Sequence, residues 1–109
     1  MAQVYKVLGQ SNPTATTPTD VYTVPASTTA VVSCITVANR SASERTFRIS
    51  IRVAGAGADN KQYLSYDTPL PGNDTISMVV GLTLGAADVV TAYVSVADLS
   101  VSVFGVENS

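Results

Sequence analysis

The ionisable side chains set the first limits on what chemistry this chain can perform. Its 109 residues include no histidine and one cysteine, Cys34. Histidine-dependent catalytic triads and zinc sites are therefore excluded, and a single thiol cannot close an internal disulfide. Eight acidic and six basic residues give a net charge of −2, which is not the charge of a protein that binds nucleic acid or an anionic membrane. The composition indicates a structural or binding protein rather than an enzyme.

The six aspartates lie at or beside predicted turns, where their side chains accept hydrogen bonds from the backbone. They are Asp20, Asp59, Asp67, Asp74, Asp88 and Asp98. Asp67 and Asp74 form the best pair for a calcium ion, yet no D-x-D-x-D-G loop is present. A glycoside hydrolase would need two carboxylates about 5–10 Å apart. We therefore predict no catalytic residue, no metal site and no cofactor.

Four of the six basic residues fall within 13 positions: Arg40, Arg45, Arg48 and Arg52. The first interpretation is a solvated face that nearby acidic residues balance. The second is an interface stripe, in which the planar guanidinium groups bind carboxylates of an adjoining subunit. Five tyrosines add a further alternative, a carbohydrate-binding platform, although their spacing does not single it out.

Period-two alternation is the strongest structural signal in the chain. In Thr46–Val53 it directs Phe47, Ile49, Ile51 and Val53 to one face, and it places Arg48 and Arg52 together on the other. Residues 75–80 and 99–103 alternate in the same way, and the latter turns Leu99, Val101 and Val103 inward. Seventeen valines favour strands over helices.

Less regular strands are predicted over residues 4–8, 20–24, 29–38, 62–66 and 89–96, with turn-forming residues between them. About eight short strands, mainly antiparallel, indicate an all-β domain, either a β-sandwich or a jelly roll. We expect one domain spanning residues 1–109. Cys34, in the longest apolar strand, is expected to be a small buried residue. The start of the chain has no secretory signal, and no apolar run is long enough to span a bilayer.

Two segments offer surfaces to a partner. Residues 1–10 form a first strand that a spacer rich in proline and threonine, residues 11–19, separates from the rest. The spacer either crosses between sheet edges or frees the strand as an arm that pairs with a neighbouring subunit. Residues 55–60 read as a flexible hairpin loop. The candidate interface residues are Val4, Tyr5, Arg48, Arg52, Gly55, Gly57 and Asn60.

Low charge favours association. Only 13% of the residues are charged, against about 25% in an average soluble domain. A small free domain usually carries more charge to stay apart from its neighbours, and a sandwich with unprotected edges tends to associate. We therefore expect a subunit of a larger assembly.

Several blocks of sequence, in order, resemble a family of short virion proteins of tailed phages. The blocks are Lys6–Gln10, the spacer, Val21–Ala26, Thr29–Ser41, Thr46–Ile49, Tyr63–Asp67, Leu82–Val90 and Phe104–Glu107. The resemblance covers nearly the whole chain. It implies a β-sandwich building block of a phage particle, with no catalytic residues to carry over. Two positions depart from the pattern. This chain has cysteine at position 34 and alanine at position 38, whereas many members have cysteine at the position of Ala38.

The sequence together with this resemblance predicts a capsid decoration (cement) subunit that stabilises the shell. A tail, baseplate or fibre-attachment subunit and a carbohydrate- or cell-surface-binding module are the alternatives. The expected partners are other virion proteins, either the major capsid protein or tail proteins, and further copies of the chain. The expected location is the virion, assembled in the host cytoplasm.

Overall fold

The computed structural model describes residues 3–109 and contains eight strands. They are β1 (Gln3–Ser11), β2 (Thr19–Thr23), β3 (Thr29–Asn39), β4 (Arg45–Arg52), β5 (Tyr63–Leu70), β6 (Thr75–Leu84), β7 (Val89–Val94) and β8 (Leu99–Asn108). Two single 3₁₀ turns, Val53–Gly55 and Asn60–Gln62, interrupt the connection from β4 to β5. The predicted all-β class is confirmed. Within residues 3–109, no helix has the length and apolarity needed to cross a bilayer.

The strands form two four-stranded antiparallel sheets. The order in the first sheet is β1-β8-β3-β6, and in the second it is β2-β7-β4-β5. The chain thus pairs its first strand with its last, its second with its seventh, its third with its sixth and its fourth with its fifth. A hairpin folded over in this nested order is the jelly-roll form of the β-sandwich.

The core lies between the sheets and follows the alternation of the sequence. Phe47 and Ile49 of β4 are buried, as are the predicted inward residues Leu99, Val101 and Val103 of β8. In β8 these side chains alternate with the partly exposed Ser100 and Ser102, and in β4 they alternate with the partly exposed Arg48 and the buried Ser50. The predicted register is confirmed for Leu99, Val101 and Val103 of β8 and for Phe47 and Ile49 of β4. Ile51, also predicted to face inward, is only partly buried and packs against the core.

Two predictions of burial are wrong. Val53 is 66% exposed, because β4 ends at Arg52 and the chain enters a 3₁₀ turn in which period-two alternation no longer applies. Cys34 is only partly buried. A register shift between Val32 and Cys34, where β3 pairs with both of its neighbours, places Ile35 inward and Cys34 outward.

The proline- and threonine-rich spacer crosses from the first sheet to the second. Ala15 forms a parallel bridge with Val94 of β7, and the amide of Thr16 donates a 2.8 Å hydrogen bond to the Val94 carbonyl. Before the spacer, β1 pairs with β8 of the same chain and leaves its other edge free. Residues 1 and 2 of the predicted arm lie outside the described residues.

Several strands extend beyond their predicted limits. β5 continues through Pro69 to Leu70, although Asp67 adopts a positive φ of 49°. β6 and β8 are ten residues each. These longer strands lengthen the outer faces of the two sheets, where the candidate sites lie.

Candidate functional site

The outer face of the first sheet carries a continuous row of apolar side chains. Strand register brings Tyr5 beside Val106 and Val106 beside Val31, and a second row runs from Val7 across β8 and β3 to β6. We refer to these outward residues as the apolar face: Tyr5, Val7, Val31, Cys34, Val79, Phe104 and Val106. Together they span all four strands.

The apolar face is uncharged, and its residues are exposed or partly exposed. Val79 is 87% exposed and Tyr5 77% exposed. Lys6 and Glu107 are the only charged residues in the four strands of this sheet. Both point toward the second sheet, because Lys6 pairs with Glu107 and Glu107 accepts a hydrogen bond from buried Tyr22. Contiguous exposed apolar surface of this kind marks interaction sites.

The Glu107 contacts tie the two sheets together at one edge. The Tyr22 hydroxyl donates to Oε2 of Glu107 at 2.6 Å, and Nζ of Lys6 lies 2.9 Å from Oε1. These two contacts, led by the Tyr22 hydrogen bond, hold the pKa of the Glu107 carboxyl below its usual value. Burial, followed by the Glu107 hydrogen bond, raises the pKa of Tyr22 well above that of a free phenol.

The outer face of the second sheet instead holds a polar, aromatic groove with a volume of about 310 Å³. Cross-strand register builds its floor: Asp20 of β2 lies beside Thr91 of β7, Thr91 beside Ser50 of β4, and Ser50 beside Tyr63 of β5. Pro18, Arg48, Arg52, Ala58 and Tyr93 complete the lining. Tyr63 and Tyr93 stand on either side of β4.

Arg48 is held in place by three neighbours. Its Nε and one terminal nitrogen donate to the two carboxylate oxygens of Asp67, at 2.6 and 3.3 Å. Its guanidinium carbon lies 4.1 Å from the ring centre of Tyr66 and 4.3 Å from that of Tyr93. The Asp67 hydrogen bond raises the pKa of Arg48 further above its usual value. The planar cation is thus stacked between two aromatic rings.

Arg52 fixes the loop that closes one end of the groove. It donates to Thr91 Oγ1 at 3.1 Å and to Asp20 Oδ1 at 2.8 Å. Its remaining terminal nitrogen donates to the carbonyls of Gly55 and Ala56, each at 3.0 Å. The predicted sharing of one strand face by Arg48 and Arg52 is confirmed. Carboxylates of the same chain, Asp67 and Asp20, already pair with both arginines, which agrees with the first of the two interpretations of the basic residues.

The loop over residues 53–62 is more constrained than a flexible hairpin loop. The amide of Ala54 donates to Asp88 Oδ1 at 2.8 Å, and the Gln62 side chain donates to the Gly57 carbonyl at 2.8 Å. Asp59 caps the following turn in a reciprocal pair with Gln62. Exposed Gly55, Gly57 and Asn60 therefore present a defined rim.

The predicted interface residues divide between opposite sides of the sandwich. Tyr5 belongs to the apolar face. Val4, in β1, pairs with Glu107 of the neighbouring strand β8. Arg48 and Arg52 lie in the groove, and the loop holds Gly55, Gly57 and Asn60. These residues do not form one surface. Tyr63 and Tyr93 belong to the five tyrosines of the carbohydrate-platform alternative, but their spacing in the sequence gave no sign that they would flank β4.

The aspartates serve turns and ion pairs. Asp67 binds Arg48, whereas Asp74 caps its turn by accepting from the amide of Thr75 at 2.8 Å. Over residues 3–109, no group of three or more cysteine, aspartate or glutamate residues is arranged to hold a metal ion.

Comparisons of the chain with protein-family models, curated proteins and solved structures found no match. The chemistry of the two outer faces is therefore the basis for assigning a role. One face is uncharged and carries two apolar rows next to a row of polar side chains, Gln10, Ser102, Thr36 and Ser77. The other face is a charge-balanced groove lined by tyrosines.

Proposed function

We propose that this chain is a structural subunit of a tailed-phage virion, most specifically a capsid decoration protein that stabilises the shell. The resemblance of its sequence to short virion proteins supports this role. The observation that carries the proposal is the apolar face. Its exposed apolar side chains are unfavourable in contact with water, so burying them against a partner stabilises the complex.

The face suits docking onto a neighbouring subunit. Its outward positions carry no charge, so a partner can cover them without desolvating an unpaired ion. Its central residues, Val31 and Phe104, lie on strands paired on both sides, which keeps the surface rigid. A preformed surface loses little conformational entropy when it binds.

The size of the first sheet also fits this role. Four strands about 4.8 Å apart and about ten residues long cover roughly 600 Å² in projection. A standard interface buries about 800 Å² on each partner. Contacts from the free edges of β1 and β6, with Tyr5 and Val79 beside them, would bring the buried area into that range.

Two positions in the particle accommodate such a subunit. A decoration protein docks on the capsid in many copies, whereas a tail, baseplate or fibre-attachment subunit forms trimers or hexamers. We propose the capsid position, because a single apolar face suffices for docking on a shell, whereas a closed ring also needs an interface between copies.

Counting copies per purified particle by quantitative mass spectrometry tests the position. Hundreds of copies support a decoration protein, and a dozen or fewer indicate the tail. Absence of the chain from purified particles overturns the proposed role altogether.

A variant tests the apolar face directly. Val79→Lys introduces a charge at a position that is 87% exposed, so the isolated domain should keep its thermal stability while its incorporation into particles falls at least tenfold. Val53→Lys is the matched control, because Val53 is also exposed but lies in the loop on the other sheet. Equal incorporation of both variants and the unmodified chain excludes the apolar face as the interface.

A further inference from the structure

We propose that the groove on the second sheet binds a neutral saccharide, with one pyranose ring seated between Tyr63 and Tyr93. This site is separate from the apolar face and goes beyond the structural role proposed above. Its volume of about 310 Å³ lies at the lower end of the range for small-molecule sites. A single sugar unit is therefore the appropriate size of ligand.

Charge balance in the groove argues for a ligand without charge. Arg48 is neutralised by Asp67 and Arg52 by Asp20, through contacts of 2.6 and 2.8 Å. Both guanidinium groups already donate two or more hydrogen bonds to the chain. An anion would have to compete with these carboxylates, whereas a neutral ligand leaves both pairs intact.

The groove also presents hydrogen-bonding groups that have no partner among residues 3–109. They are Oδ2 of Asp20, Oγ of Ser50, and the hydroxyls of Tyr63 and Tyr93. Asp20 uses only Oδ1, which accepts from Arg52 and Thr91, so its second oxygen can accept from a ligand hydroxyl. Sugar hydroxyls both donate and accept, and these groups offer both functions at the floor and walls.

The aromatic side chains supply the remaining recognition. The faces of tyrosine rings carry partial negative charge, and the C–H groups on one side of a pyranose ring carry partial positive charge. Tyr63 is oriented by an edge-to-face contact with Tyr66 at 4.8 Å, and Tyr93 by Arg48 at 4.3 Å. The rings are thus held in position before a ligand arrives, which reduces the entropy lost on binding.

The carboxylate content of the groove indicates that it binds a saccharide without hydrolysing it. Among the described residues that line the groove, Asp20 is the only carboxylate. Glycoside hydrolysis generally requires a pair. If the chain is also a virion subunit, which rests on the role proposed above, the many copies would turn a weak single site into strong attachment to a glycan-coated surface.

The test is a titration of the whole 109-residue chain, followed by amide NMR, with D-glucose, D-galactose and N-acetylglucosamine as probes. At least one of these sugars should shift signals of groove residues, with saturation in the millimolar range. Inorganic phosphate and sialic acid, added as anionic probes, should leave those signals in place. No groove response to any of the three sugars, or a response to the anions alone, overturns the proposal.

Three variants locate the site. Tyr63→Ala should weaken sugar binding at least tenfold, and Ser50→Ala, which removes one hydroxyl, should weaken it severalfold without disturbing the strand. Tyr5→Ala is the matched control, because it removes an exposed tyrosine from the opposite face. Equal loss of binding in Tyr5→Ala and Tyr63→Ala contradicts the assignment. Particle incorporation of Tyr63→Ala should be unchanged, which separates this test from that of the structural role.

Discussion

The hydroxyl of Tyr22 donates a 2.6 Å hydrogen bond to Oε2 of Glu107 and so joins the second sheet to the first. Tyr22 is 7% exposed, and the Glu107 side chain is 14% exposed. Hydrogen bonds to a charged acceptor contribute about 1.5–3 kcal/mol to stability. This contact is an ionisable link between the layers and gives the stability of the fold a dependence on pH.

Removing the Tyr22 hydroxyl should flatten the dependence of stability on pH. The Glu107 pKa is lowered from 4.5 in the fold, so its carboxylate stabilises the protein above that pH, and the stability is lost as pH falls through the folded-state pKa. The raised pKa of Tyr22 contributes stability that is lost as pH rises above 10. We expect Tyr22→Phe to be less stable at pH 7 by about 1–2 kcal/mol and to show a shallower loss at both extremes.

Urea denaturation from pH 3 to pH 11 measures these differences. Some loss on the acid side should remain in Tyr22→Phe, because Lys6 still binds Glu107. Tyr5→Phe is the control, since Tyr5 is 77% exposed. Parallel stability profiles for Tyr22→Phe and the unmodified chain would show that the hydroxyl does not link the sheets energetically.

Ile49→Asp should prevent folding. Ile49 is fully buried at the centre of β4, and an aspartate there would place an unpaired charge in the core at a cost of about 4 kcal/mol or more. Ser77→Asp adds the same charge at an exposed position of β6 and should fold normally. Circular dichroism and thermal melting distinguish the two. A folded Ile49→Asp protein would mean that the register of β4 is wrong.

Replacing Gly105 should lower the stability of the domain more than replacing a glycine at another strand position. A methyl group on its Cα would clash with the Val31 carbonyl oxygen, so the backbone would have to shift to accept it. We expect Gly105→Ala to lower the free energy of unfolding by about 1–3 kcal/mol.

Gly81→Ala is the matched control for that substitution. Gly81 also lies within a strand, but no atom comes within 4 Å of its added methyl group. Alanine there should be neutral or stabilise the domain by about 0.5 kcal/mol. Chemical denaturation of the two variants compares them directly, and equal stability would show that β3 and β8 are farther apart than described.

The fold was predictable because the core follows a local rule. A residue such as Ile49 or Val101 is buried when its neighbours along the strand are polar, and that pattern is visible within a few positions. Where the strand stops obeying the rule, as at Val53, the prediction was wrong. The register shift beside Cys34 had the same effect, since a bulge reverses which residues face inward.

The groove could not be predicted in this way, because distant segments of the chain assemble it. Arg48 and Asp67 are 19 residues apart, and Arg52 and Asp20 are 32 apart. Only the pairing of β2, β7, β4 and β5 brings them together. The sequence indicated that the two arginines share a face, but it contained no local signal for which carboxylates or tyrosines would meet them.

Arg48→Lys should destabilise the second sheet although it preserves the charge. A lysine cannot make the paired hydrogen bonds to Asp67, and its compact ammonium group cannot stack between Tyr66 and Tyr93. Because Asp67 is 49% exposed, solvent screens the ion pair, and most of the expected loss of about 1 kcal/mol comes from stacking. Thermal denaturation in low and high salt separates the two contributions. The loss should persist at high salt, and a variant whose stability equals that of the unmodified chain would mean that the guanidinium stack adds nothing. Lys61→Arg, in the exposed loop, provides the control for exchanging the two cations, and its stability should not change.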